Sequence, residues 1–301
     1  MRAPLAYGLI AFAALVTAPR GAGFVSGAPA VLGAPLAHPQ DDSAIAARAA
    51  ADDARIDNRE WASILQRQLR AYSSGPIEPN REFYFTRAFY SSGRNDLYRG
   101  FPSWSVDWPK ADIQFMMGLK RLVTHLDAYD GDNPVSLADP DLLQYPFLYA
   151  VEVGYMSLTE PEVTGLRNYL DHGGFLVVDD FWGSREWANF EHEIRRVLPG
   201  HPIVEIPLDH PIFHSFYDIK EIVQVPNVGQ GRFGGPTWEQ DGITPTVRGI
   251  FDDDGRLMVA ISWNSDLGDA WEWAEDPFYP LRFSTYAYQL GVNLIVYAMS
   301  H

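Results

Sequence analysis

The run Gly173-Gly174-Phe175-Leu176-Val177-Val178-Asp179-Asp180-Phe181-Trp182-Gly183 constrains this chain more than any other, because an apolar stretch between glycines ends in two adjacent carboxylates. An unbroken apolar run of strand length reads as a parallel strand buried on both faces. In open α/β sheets, ligands gather outside the carboxyl ends of such strands. The helix predicted next, Ser184 to Val197, starts just past the carboxylates with Ser184 as its N-cap. A plainer role stands beside this one, since Asp is favoured in turns and Asp179 and Asp180 would serve a turn equally well. Alternation along a strand sends the two side chains to opposite faces, leaving one of them for a ligand.

Around this strand the pattern alternates. Strands are predicted over Glu82 to Phe89, Phe147 to Val153, Gly174 to Asp179 and Ile203 to Ile206, and helices over Ala111 to Leu126, Thr159 to Asp171 and Ser184 to Val197. Such alternation predicts an α/β fold with a largely parallel sheet between helices. Thr159 and Glu162 form a capping-box signal, with Pro161 tolerated in the first turn. The last third reads differently: Val247 to Phe251 and Leu257 to Trp263 flank an Asp-rich turn as a β-hairpin, and Ser284 to Met299 forms a closing helix. The turn Asp252-Asp253-Asp254-Gly255 lacks the further spaced ligands of a calcium loop, so it is read as a plain Asp-Gly turn.

Ahead of this region, Met1-Arg2 and the apolar stretch Leu5 to Val16 resemble a secretory signal peptide, followed by an Ala-, Gly- and Pro-rich linker. The stretch is shorter than the roughly 20 residues of a spanning helix, so no permanent membrane span is expected. The reading is therefore residues 1–37 as signal peptide and linker, 38–80 as a helical extension with Trp61, Ile64, Leu65 and Leu69 on one face, and 81–301 as the α/β domain. The expected location is secreted or periplasmic. The formal charge of −16 leaves no basic surplus to neutralise phosphates, which argues against nucleic acid as a partner. With no cysteine, thiolate catalysis, disulfides and cysteine-ligated metals are all excluded. An apolar content of 47% supplies a core without disulfides.

Four acidic groupings compete as a site: Asp107 with Trp108 and Asp112, the pair Asp179 and Asp180, Asp209 with His210, and the segment from Asp266 to Glu272 containing Asp269 and Trp271. Oxygen-rich sets suit magnesium, calcium or manganese, and the candidates for a divalent metal are Asp179, Asp180, His210 and Asp266. Tryptophans beside carboxylates also suit sugar stacking, although large aromatics mostly serve burial. His210 precedes Pro211, and this prolyl residue keeps His210 and His214 off one face of a regular helix, which favours a structural role for His210. The segment from Asp266 to Trp273 reads as a lid or ligand-contacting loop freed by Gly268, or as a short helix capped by Asp269 with its tryptophans packed beneath. No Gly-x-Ser-x-Gly elbow is present. The spelling Gly229-x-Gly231-x-x-Gly234 follows Pro226-Asn227 and leads into Gly235-Pro236, so it is not read as a nucleotide motif opening a helix.

Phe83-x-Phe85-x-Arg87, Asp107-Trp108-Pro109-x-Ala111-Asp112, Tyr145-Pro146-Phe147-Leu148-Tyr149, Gly173-Gly174-Phe175-Leu176, Asp179-Asp180-Phe181-Trp182-Gly183, Asp209-His210-Pro211-Ile212-Phe213 and Gly291-Val292-Asn293 together resemble the bacterial family called domain of unknown function 4159. The resemblance runs from about Arg81 to the C-terminus, and it implies a branch of the class I glutamine amidotransferase-like superfamily with a flavodoxin-like parallel sheet. In enzymes of that superfamily a nucleophile occupies the elbow after a Gly-Gly-containing strand, where this chain has Asp179 or Asp180. An acidic elbow suits a ligand or metal better than an acyl intermediate. Where relatives carry a Gly-His-Gly-like turn, this chain reads Val151-Glu152-Val153-Gly154, so Glu152 becomes a third candidate carboxylate.

The expected function is binding of a small polar ligand, a sugar or a hard metal, at an acidic, Trp-lined strand end formed by Asp107, Glu152, Asp179, Asp180, Trp182, His210, Asp266, Asp269 and Trp271. A carboxylate-dependent, metal-assisted hydrolase and a non-enzymatic module that binds an envelope protein are the alternatives. Convergence of the carboxylates separates the first two from the third.

Overall fold

The computed structural model describes residues 81–92, 97–98 and 101–301, and the expected signal segment, linker and helical extension lie outside them. Strand β1 (Thr86–Phe89), the two-residue strands β2 (Leu97–Tyr98) and β3 (Phe101–Pro102), β4 (Asn133–Ser136), β5 (Phe147–Val151), β6 (Phe175–Asp179), β7 (Ile203–Glu205), β8 (Thr246–Phe251) and β9 (Leu257–Trp263) alternate with helices. The helices are α1 (Lys110–Leu122), α2 (Glu160–Asp171), α3 (Gly183–Val197), α4 (Val228–Phe233), α5 (Leu267–Glu272) and α6 (Leu281–Ala298).

Seven strands form one sheet in the order β4-β1-β5-β6-β9-β8-β7, and β2 pairs only with β3. The pairings from β4 through β9 are parallel, whereas β8 runs antiparallel to both β9 and β7. The fold is therefore α/β with a mixed, mostly parallel sheet. In the parallel part, β5 and β6 are buried along their whole length, as their unbroken apolar sequences require.

Residue parity along β5 assigns the two faces. Phe147, Tyr149 and Val151 join a core with Phe115 of α1 and Leu290 of α6, while Leu148 and Ala150 join a second core with Leu166 of α2 and Phe190 of α3. Each apolar side chain fully buried in these layers contributes about 1.5–3 kcal/mol, more than a typical helix cap, so sheet burial outweighs local signals in fixing the architecture. Helix α2 nevertheless has the predicted capping box: the Thr159 backbone N–H and hydroxyl both donate to Glu162 Oε2, at 2.7 and 2.8 Å.

Several boundaries and elements differ from expectation. Helix α1 stops at Leu122, and the continuous strand begins at Thr86, preceded by a single parallel bridge between Phe83 and Ala128. Strand β4 was hidden by Pro134, which is accommodated because β4 is an edge strand. Strand β7 is present but joins the antiparallel edge. The glycine-rich stretch does contain a helix, α4, because the Asn227 side chain accepts from the Gln230 N–H and caps it. It follows no strand, so the dinucleotide arrangement is still missing. The Asp252 turn is closed by its own chain, with Asp252 Oδ1 accepting from the N–H groups of Asp254 and Arg256.

Candidate functional site

The carboxyl ends of the parallel strands carry unusual backbone. Glu152 follows β5 at φ 52°, Asp180 follows β6 at 49°, Asn264 follows β9 at 61°, and Asp107, in the connection into α1, stands at 62°. Left-handed conformations cost non-glycine residues energy and persist where the surroundings enforce them. Here the enforcement is visible: Glu152 N–H donates to the Asp180 carbonyl, Asp180 N–H to Ser265, and Asn264 N–H to Phe181. These ties stitch three strand ends together. They also take Asp180 out of strand alternation, so its facing is set by a turn and not by the pleat.

Asp179 is wholly buried, and its Oδ2 accepts from Tyr149 Oη at 2.8 Å and from the N–H groups of Leu267 at 2.8 Å and Gly268 at 3.1 Å. Burial raises its pKa to about 7, against the pull of those hydrogen bonds. Asp179 thus anchors the start of α5. Asp266 caps the same helix, its Oδ1 accepting from Asp269 N–H at 2.7 Å. Asp269 in turn accepts from Val228 N–H at 2.6 Å and Trp273 Nε1 at 3.1 Å. Asp180 Oδ1 accepts from Trp182 Nε1 at 3.0 Å.

Around these ties, carboxylates from three segments come together. Asp107, Asp180 and Asp266 each offer an oxygen within 4.8 Å of the other two, and Asp107, Asp269 and Glu272 do the same. Asp107 Oδ2 and Asp179 Oδ1 are sealed from solvent without a hydrogen-bond partner. Gly268 makes the approach possible, because a Cβ there would fall 2.5 Å from Asp107 Oδ2.

Of the nearby cations among the described residues, two pair with other carboxylates, and only Lys110 reaches the edge of the cluster. Arg87 is buried in a forked pair with Asp112, Arg232 pairs with Asp276, and Lys110 lies 3.7 Å over the Trp273 ring and 3.9 Å from Glu272. The carboxyl groups respond as uncompensated buried acids do. Asp107, Asp180 and Asp266 are held well above the usual range by burial first and then by their acidic neighbours. Glu272 is raised to about 7 by burial and Asp269, with Lys110 opposing. Glu152 is likewise held well up, by burial and then Asp180 and Glu186. A divalent cation would reverse this balance, because it stabilises the ionised forms at short range.

Of the residues expected from sequence, Asp107, Glu152, Asp179, Asp180, Asp266 and Asp269 meet at this edge. Trp182 meets them through its hydrogen bond to Asp180. Trp271 is in the core, 1% exposed, against Phe85, Phe115 and Tyr149, so it presents no stacking face. The segment from Asp266 to Trp273 is a largely buried helix capped by Asp266, and neither a lid nor an Asp269 cap is seen. His210 stands apart, capping the turn Pro211–Phe213 and packing on Phe251 and Tyr297. Its ring is held below its usual pKa by burial, as befits a structural histidine. The sequence named Glu272 only as the end of an acidic segment and Asp112 only as a neighbour of Asp107, without singling out Glu272 as a ligand, and gave no sign of Tyr149 at the site or of the pairing of Asp112 with Arg87. Glu272 follows Asp269 by three residues, the same-face spacing of a helix, and that signal is lost if the segment is read as a loop.

The family model described as Domain of unknown function (DUF4159) matches residues 96–299. The chain belongs to the DUF4159 family. That match spans α1 through α6 and takes in every carboxylate of the cluster, while β1 and Arg87 precede it. No curated protein matches the chain.

Proposed function

We propose that this DUF4159 domain binds a hard divalent cation at its acidic strand-end cluster and acts on a small polar ligand through that cation. One observation carries the reading: Asp107, Asp180 and Asp266 bring three carboxylate oxygens within 4.8 Å of one another. All-oxygen sets of this kind suit magnesium, calcium or manganese. Trp182 and Trp271 are too buried to stack on a sugar, which favours the cation over direct carbohydrate binding. The parallel strand order β4-β1-β5-β6-β9 corresponds to the flavodoxin-like order, and supports placing the domain among class I glutamine amidotransferase-like folds with a carboxylate elbow at Asp179 and Asp180. The signal-like N-terminus supports action in the periplasm or outside the cell.

Hydrolysis is the reading favoured next, by the position of Glu152. Glu152, left-handed at the end of β5 with its N–H on the Asp180 carbonyl, would be the carboxyl beside the cluster to accept a proton from water, with a bound cation supplying the acidity. Thermal unfolding against Mn2+, Mg2+, Ca2+ and a sugar panel tests the proposal. A divalent cation is expected to raise the melting temperature, because selective binding stabilises the native state by about 2.7 kcal/mol at a hundred times Kd. Asp180→Asn should remove most of that rise. Asn tolerates the left-handed backbone and keeps an acceptor for Trp182, so the cation-free variant should be more stable than wild type at pH 8 by about 1 kcal/mol through lost repulsion. A folded protein that no divalent cation stabilises would sink the proposal; absence of any hydrolysis by the Mn2+-loaded protein would sink the hydrolase version, and hydrolysis that survives Glu152→Gln would remove Glu152 from it.

A further inference from the structure

Resting on that reading, we infer that the cluster holds two divalent cations side by side, bridged by Asp107. The two carboxylate triads share Asp107 and no other residue: Asp180 and Asp266 complete one, Asp269 and Glu272 the other. A carboxylate has two oxygens, and paired-cation sites separate their ions by about 3.5–4 Å, a span one bridging carboxylate covers. Asp107 is placed for this role. Its Oδ2 is sealed from solvent and makes no hydrogen bond, and the missing side chain at Gly268 leaves that oxygen its room. Against the cluster lies Asp179, 0% exposed, whose Oδ1 is a second buried oxygen without a partner.

Charge leads to the same number of ions. Fully ionised, the five carboxylates of the two triads carry five negative charges, offset among the described side-chain ion pairs only by Lys110 beside Glu272; one divalent cation leaves two unbalanced, and two leave none. Leaving two like charges in a largely buried site is the more costly arrangement. The two positions are unequal. Asp180 and Asp266 are buried and have no cationic neighbour among the described side-chain ion pairs, so the inner position binds first. At the outer position Glu272 is shared with Lys110 and both Asp269 oxygens already accept one hydrogen bond, which weakens it.

Calorimetric titration of the full chain with Mn2+, with electron paramagnetic resonance at each equivalent, tests this. Two ions per chain are expected, the second broadening the signal of the first through spin coupling. Glu272→Gln should weaken the second ion at least tenfold and spare the first, Asp180→Asn should remove the tight one, and Asp107→Asn should remove both. Glu272 is partly exposed, so its substitution leaves the fold intact, and the wild-type stoichiometry is decisive without any variant. One ion per chain, with Glu272→Gln silent, overturns the pair and leaves the single-cation function standing. No bound ion overturns both.

Discussion

Arg87 does the most structural work of any single side chain near the site. Its Nε lies 3.1 and 3.0 Å from the two Asp112 oxygens, and its Nη1 donates to the carbonyls of Trp104 at 3.2 Å and Val106 at 2.9 Å. Burial works against the Arg87 charge, but Asp112 in forked contact raises its pKa above the usual guanidinium value. One guanidinium therefore joins β1, the turn before Asp107 and α1, and so positions Asp107. Arg87→Met should cost about 3–5 kcal/mol in urea unfolding, because Asp112 is left buried and unpaired. Arg87→Lys should recover only part of this, since an ammonium lacks the planar fork. A loss under 1 kcal/mol for Arg87→Met would show that Asp112 is neutral and the pair unimportant. In the sequence, Arg87 was named only within the Phe83-x-Phe85-x-Arg87 motif of the family resemblance; its partner lies 25 residues on, in a helix, beyond any local pattern.

At the scale of elements, α5 is where local rules and site geometry conflict. Alanine is a better helix former than glycine by about 1 kcal/mol, so Gly268 is locally unfavourable in α5. Tertiary contact explains it: a Cβ at this position would meet Asp107 Oδ2 at 2.5 Å and Tyr149 Oη at 3.1 Å. Gly268→Ala should therefore weaken Mn2+ binding at least tenfold in calorimetry while shifting unfolding free energy by no more than about 1 kcal/mol. Unchanged affinity would mean that Asp107 is not held against α5 for binding. Helix α2 is the contrasting case, legible from Thr159 and Glu162 alone, because a capping box is complete within four residues. Helix α5 was ambiguous because its cap, Asp266, is itself a cluster member whose backbone N–H is fixed by Val225, a residue remote in sequence.

For the whole molecule, the raised carboxyl groups make stability depend on pH in an unusual direction. Asp179 and Glu272 titrate near 7 in the folded chain, well above the ordinary values of 3.8 and 4.5, and Asp107, Asp180 and Asp266 are also held up. The folded state then holds protons that the unfolded chain releases. This contribution is complete below about pH 4 and is lost as pH rises through about 7. The cation-free protein should therefore melt at progressively lower temperature from pH 5 to pH 8. Saturating Mn2+ should flatten or reverse that slope, because the cation favours the ionised groups. Carboxyls pulled down by exposed partners, such as Asp130 with Lys120 and Asp241 with Ser184, act below about pH 4 and leave this window alone. A melting temperature that rises steadily from pH 5 to 8 in chelator would contradict the clustering of uncompensated acids.

The sequence by itself determined the α/β alternation, the buried strand from Phe175 to Asp179, the C-terminal hairpin and the capping of α2. Each follows from interactions among residues close in sequence: unbroken apolar runs, turn chemistry and side-chain caps. Only the tertiary structure decided the rest. It set β7 and β8 antiparallel at one edge and left Pro134 in an edge strand at the other. It also turned Asp107, Glu152 and Asp180 through left-handed backbone, separated Asp180 from the strand pleat, and sent His210 away from the cluster. Strand order and turn conformation are fixed by packing across the whole sheet, so the meeting of carboxylates drawn from separate segments of the chain is a property of the folded molecule.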